Sequence, residues 1–159
     1  MDSRQSAKKT GGRRVNIHAY KVVPRGELSL DQVLVHINEI PLEDRLRTIS
    51  GGDIRLEVAQ KTGHIWTLDF GGMRPDGPGR ASRVTPISDF DMAEDEGFAQ
   101  ETGAVFDLRS GFLALQYNHF GPRHGRIQSY LFRFSRSLSG LEEDVSSDDD
   151  HGFTLAAVV

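Results

Sequence analysis

The chain has 159 residues, a net charge of -4 and 37% hydrophobic residues, which suits one domain with a real core. The absence of cysteine excludes disulfides, thiolate metal sites and cysteine nucleophiles. No apolar run approaches the roughly 18 to 20 residues needed to cross a bilayer, and the N-terminus lacks the apolar core of a signal peptide, so a cytoplasmic protein without membrane contact is expected.

Residues 1–14 carry Arg4, Lys8, Lys9, Arg13 and Arg14 against Asp2 alone. With nothing to bury, they are expected to be a disordered basic tail, suited to phosphate contact. A strand follows over Val15 to Val23, with Val15, Ile17 and Ala19 on one face and His18, Tyr20 and Val22 on the other. Both faces are partly apolar, which predicts a central strand in which His18 is a packing residue. Ser29 with Gln32 makes a capping box for a helix over Leu30 to Ile40, whose stripe is Leu30, Val33, Leu34 and Ile37. Pro41 stops it. Leu42 to Ser50 fits a short helical turn and a strand equally well.

Ile54, Leu56 and Val58 alternate toward a turn at Lys61-Thr62-Gly63, and His64, Trp66, Leu68 and Phe70 alternate after it, predicting a hairpin with Trp66 anchoring the core. Gly71 to Pro86 is too rich in Gly and Pro for regular structure and carries Arg74, Arg80 and Arg83. It is either a plain connection or a loop that closes on an anion. A second hairpin, turning at Arg109-Ser110-Gly111, joins the Ala104/Phe106 run to the Phe112/Ala114/Gln116 run. After Phe120-Gly121-Pro122, the residues Ile127, Tyr130, Leu131 and Phe134 give the stripe of a helix over Arg126 to Ser135.

The expected fold is therefore α+β: an antiparallel sheet of two β-hairpins plus an N-terminal strand, covered by two helices. The expected organisation is the tail 1–14, one domain over 15–138, an acidic linker over 139–151 and the start of a second domain at 152–159.

The tests for chemistry return little. Asp89 to Phe98 lacks the calcium-loop spacing, the glycine loop matches neither GxxxxGK[ST] nor GxGxxG, and no serine sits in GxSxG. His119 and His124 flank a Gly-Pro turn without HExxH spacing, and Glu57 and Lys61 are too far apart for a nuclease Glu-x-Lys motif. No catalytic residue, metal ligand or cofactor is assigned. What remains is electrostatic: Arg126, Arg133 and Arg136 lie off the apolar stripe and are expected to face solvent, preceded by Arg123, His119 and His124. Such guanidinium groups can each neutralise a phosphate, giving affinity for DNA without sequence preference.

Read as a unit, MAEDEGFAQETGAVFDLRSGFLALQYNHFGPRHGRIQSYLFRF resembles the N-terminal region of RexA-like phage-exclusion proteins and a related bacterial family. The shared pattern is the acidic turn Asp95-Glu96-Gly97, Thr102, the strand pair Val105 to Gln116, the Phe120-Gly121-Pro122 loop and the helix from Ile127. The resemblance implies a non-catalytic nucleic-acid-binding or sensing role in phage defence by abortive infection, with a further domain after the acidic linker. The expected contacts are Arg123, Arg126, Arg133, Arg136, Arg74, Arg80 and Arg83 on DNA. Two other classes stay open: a metal-dependent nuclease or other effector built on Asp89, Asp91, Asp95 and Glu96, and a protein-interaction module in which the acidic segments dock a basic partner or mimic DNA. A homodimer is open as well.

Overall fold

The computed structural model describes residues 14–74, 84, 86, 88, 92–143 and 152–158. Helix α1, Leu30–Glu39, starts as its sequence dictates: the Gln32 N–H donates to Ser29 Oγ at 3.2 Å and the Ser29 N–H to Gln32 Oε1 at 2.8 Å. Leu30, Val33, Leu34 and Ile37 are buried, and the chain turns extended at Ile40, as a residue before proline must. The ambiguous segment resolves into both of its readings, a 3-10 turn over Leu42–Arg45 and then a short strand, β2, over Arg47–Ile49.

The sheet has seven strands in the order β2-β3-β4-β5-β6-β1-β7, every neighbouring pair antiparallel. They span Ile17–Pro24 (β1), Gly52–Thr62 (β3), Ile65–Arg74 (β4), Phe98–Asp107 (β5), Phe112–Gln116 (β6) and Phe153–Ala157 (β7), beside β2. The α+β architecture, the two hairpins and the N-terminal strand are as expected. The differences lie at the edges.

Phe153–Ala157, expected to open a second domain, is instead an edge strand of this same sheet: it pairs with β1 and buries Phe153 and Leu155 in the common core. Strand β4 runs on through Gly71 and Gly72, expected as loop, because glycine lets neighbours close on the strand. A Cβ on Gly71 would stand 2.9 Å from the Glu57 carboxylate, and one on Gly72 3.2 Å from the Pro122 ring. The start of the acidic linker is also tied down, with the Arg47 guanidinium donating twice to the Glu143 carboxylate at 2.6 and 2.9 Å. Finally, β1 does not bury two faces. Tyr20 and Val22 face the helices while Ile17 is 59% exposed, since both helices lie on one side of the sheet.

Helix α2, His124–Leu138, organises the core through Ile127, Tyr130, Leu131 and Phe134. At the level of its last two turns it meets both edges of the sheet. Phe132 and Ser135 close on Gly152 at the β7 edge, and the Arg47 guanidinium from β2 lies 4.2 Å from the Phe134 ring centre. Six strand spacings in a flat sheet span about 29 Å, whereas a helix with its side chains is about 10 to 12 Å across. The sheet is therefore curled around α2 into a half-barrel.

At the β2 edge the curl is locked by polar contacts. Leu56 is paired with Phe70 of β4 but lies beyond the start of β2 on its other side; there its N–H donates to the Tyr130 hydroxyl at 3.1 Å and its carbonyl accepts from Arg45 Nη1 at 3.4 Å. Tyr130 in turn donates to the Arg45 carbonyl at 2.9 Å. The Arg45 side chain also holds the end of α1, donating to the carbonyls of Ile40 at 2.8 Å and Asn38 at 3.0 Å.

At the β7 edge, the Leu155 N–H donates to Gln128 Oε1 at 2.8 Å. At the far end of β3 and β4, the Asp31 carboxylate accepts from Trp66 Nε1 at 2.7 Å and Lys61 Nζ at 2.8 Å. Among the described residues no helix is long and apolar enough to cross a membrane.

Two stability predictions follow from these bonds. Tyr130→Phe leaves the Leu56 N–H and the Arg45 carbonyl without their partner and should cost about 2 kcal/mol in urea unfolding at pH 7. Burial pushes the Tyr130 hydroxyl up to about 12 from 10.0, so the unfolded chain loses this proton first. Wild-type stability should then fall between about pH 10 and 12 by an amount absent from the phenylalanine variant. For Asp31, burial opposes ionisation but the bonds from Lys61 and Trp66 outweigh it and hold the carboxyl below its ordinary 3.8. Its contribution is present above that pH and lost as pH falls further, so Asp31→Asn should cost about 1 kcal/mol at pH 7 and nothing well below pH 3.8.

Candidate functional site

The loop from Tyr117 to Arg123, between β6 and α2, is where the chain gathers rings and cations. It is fixed from below by β5. The Asn118 side-chain amide donates to the Glu101 carbonyl at 2.7 Å, and its oxygen accepts the Phe120 N–H at 3.2 Å, the turn geometry that asparagine favours. The buried Thr102 hydroxyl donates to the Pro122 carbonyl at 2.8 Å. Gly121 is needed because a Cβ there would stand 2.6 Å from Thr102 Oγ1 and 3.0 Å from the Glu101 carbonyl. Pro122 rests on Gly72, and the Tyr117 N–H donates to the Asn16 carbonyl at 2.7 Å, tying the loop to the approach of β1.

Above this base the aromatic rings pair. His18 stacks on Tyr117 with ring centres 5.1 Å apart, and Tyr20 stacks on His124 at 5.0 Å. Arg123 lies over the Tyr117 ring at 5.5 Å, and its Nη2 is 3.2 Å from His119 Nδ1. A guanidinium only donates, so this nitrogen of His119 is the acceptor. His119 also meets Phe120 edge-on at 5.0 Å. Tyr117 and Phe120 remain 40% and 63% exposed, an unusual display for two large rings.

Two hollows flank the loop and share Gln116, Tyr117 and Asn118 as a common ridge. One is a cleft of about 180 Å³ reaching down to Tyr20, Thr102, Leu115 and Pro122. The other is an open groove of about 620 Å³ running past Arg14, Asn16, Glu101 and Phe120. Helix α2 begins beside the cleft with no side-chain cap and no acidic residue in its first turn, so its positive pole adds to Arg123.

Among the described residues, of the arginines expected on DNA from the loop and the helix, Arg123 alone lines either hollow. The other three on the helix do not form a solvent-facing row. Arg126 turns to the sheet and donates to the Asp53 carbonyl at 2.9 Å, packed against Gly52, and burial lowers its pKa from the ordinary arginine value. Arg133 is half-buried, and Arg136 is only 4% exposed, with its Nε donating to the Glu142 carbonyl at 2.6 Å.

Arg126 is drawn against the start of β3, whereas Arg136 is covered by the segment that follows α2. Arg74, at the end of β4, is exposed and lies two residues beyond the Gly72 that Pro122 covers. Arg80, Arg83, Asp89 and Asp91 lie outside the described residues, as does the tail before Arg14. Glu96 folds back locally, accepting the Ala93 N–H at 3.0 Å. Among the described residues no group of three or more His, Asp or Glu side chains could hold a metal ion.

Sequence reasoning gave no functional role to Tyr20, Tyr117, Asn118 and Phe120 and read His18 as a packing residue, while His119 and His124 were weighed as zinc ligands and as neighbours of the helix arginines. The signal was present in YNHFGPRH, where rings and cations interleave over eight positions. No family model, curated protein or solved structure matches the chain.

The loop's fit to β5 gives a local test. Gly121→Ala should destabilise the fold by roughly 1 to 3 kcal/mol, because Thr102 and the β5 backbone must move to admit the methyl group. Gly125→Ala, at a helical position with nothing within 4 Å of the added carbon, should instead stabilise by roughly 0.5 kcal/mol. Thermal melts of the two variants against wild type check both signs.

Proposed function

We propose that this domain is a non-catalytic nucleic-acid-binding module whose contact surface is the β6–α2 loop, and that it favours single strands. The observation that carries the reading is the pair of exposed rings, Tyr117 and Phe120, set beside His119 and Arg123 on a loop pinned to the sheet. Every base offers a face on which such rings stack, whatever its identity, and a single strand leaves those faces free. The groove next to Phe120 is lined by Arg14, and Arg4, Lys8, Lys9 and Arg13 lie just before it in the chain. The basic tail therefore joins the domain beside the rings, where its charges would meet the backbone phosphates. This agrees with the role implied by the resemblance to RexA-like proteins, with the contact surface moved from the flank of α2 to the loop that precedes it.

Binding of the purified chain to labelled random-sequence DNA, single-stranded and duplex, across a salt series tests the proposal. Tyr117→Ala and Phe120→Ala should each weaken single-strand binding by about tenfold, the loss of one stacked base. Arg123→Ala should reduce the slope of log K against log salt by about 0.7, one phosphate contact on a single strand. No binding at low salt, or affinities indifferent to all three substitutions, would overturn it.

A further inference from the structure

We propose that the cleft behind Tyr117 receives a terminal phosphate monoester, carried by the end of a nucleic-acid strand or by a free nucleotide, and not an internal phosphodiester. This rests on the nucleic-acid reading above and specifies which part of the ligand enters. The size of the cleft is the first argument. At about 180 Å³ it falls below the roughly 300 to 1,000 Å³ of sites that enclose a whole small ligand, so it has room for one group of something larger.

Its shape is the second. The cleft reaches down to Tyr20, Leu115, Thr102 and Pro122, all buried, a depth that a single terminal group can fill. The adjoining nucleotides of a strand would lie across the Gln116–Asn118 ridge in the open groove.

The third argument is charge. The ionisable side chains lining the cleft besides the two tyrosines are His18, Arg123 and His124, with no carboxylate among them, whereas Glu101 lines the groove. A phosphate monoester carries about -1.5 to -2 charges at pH 7, against one for a diester, and it offers three acceptor oxygens in place of two. A cleft that offers one guanidinium and two imidazoles without a carboxylate therefore discriminates in favour of the monoester through charge-assisted bonds. Asn118 adds a neutral polar group at the rim.

The test uses the full chain and eight-nucleotide random single strands ending in a 5′-phosphate, a 3′-phosphate or hydroxyls at both ends, with a nucleoside 5′-monophosphate as a separate ligand. Affinity is read by fluorescence anisotropy and the terminal phosphate by its phosphorus NMR resonance. One phosphorylated strand should bind on the order of tenfold tighter than the hydroxyl-ended strand, with its terminal resonance shifted. The advantage should shrink to under about threefold in the His18→Gln/His124→Gln variant, checked as folded by its thermal melt. Monophosphate binding with a shifted resonance, and no strand binding, would support the monoester site with a free nucleotide as its source while the strand reading fell. Equal binding of all three strands with an unmoved terminal resonance would overturn this inference and leave the nucleic-acid reading standing. No binding of any strand or of the monophosphate would overturn both.

Discussion

Helix α2 meets the two edge strands of the sheet at the same level of its length, and most of the structure depends on the curl that this requires. Its apolar stripe is buried on the sheet side by Ile54, Leu56, Leu68 and Phe70 and on the helix side by Leu34 and Ile37. Apolar burial alone is non-directional and would tolerate many degrees of curl. The Tyr130 hydroxyl removes that freedom, because it satisfies two backbone groups that β2 does not reach. Arg45 extends the same arrangement to the end of α1, so one buried polar cluster relates the helix, the edge of the sheet and the turn between them.

The rigid curl also sets the position of the β6–α2 loop. Thr102, Gly121 and Pro122 hold the loop on β5, and Gly72 of β4 supports it from beneath. The rings above it are therefore presented by a scaffold and do not depend on the loop's own order, which lowers the entropy lost when a ligand stacks on them. His18 and Tyr20 come from β1, far away in the chain, and reach the loop because β1 is inserted between β6 and β7.

Much of the local structure was legible in the sequence. The capping box at Ser29, the stripe of α2 and both hairpins follow from spacing alone, and each carries a local physical signal. What was not legible depends on contacts made across the chain. Whether GFTLAAVV adds to this sheet or begins another domain is decided by its pairing with β1, which no window of sequence contains. The arginines of α2 were read as exposed from their helical angle, which takes no account of the start of β3 that Arg126 meets or of the segment after the helix that covers Arg136. The candidate site shows the same division. The run YNHFGPRH is visible as a concentration of rings and cations, but its stacking partners His18 and Tyr20 appear only once the strand order is known.

The bond from the Leu155 N–H to Gln128 has a consequence for association. Strand β7 is an edge, and an edge ordinarily offers its outward backbone groups as a template for a strand of another molecule. Here the central outward donor of β7 is already occupied by a side chain from the helix the sheet encloses. A foreign strand would have to displace Gln128 before it could pair there. The half-barrel thus guards its β7 edge without closing its ring of strands.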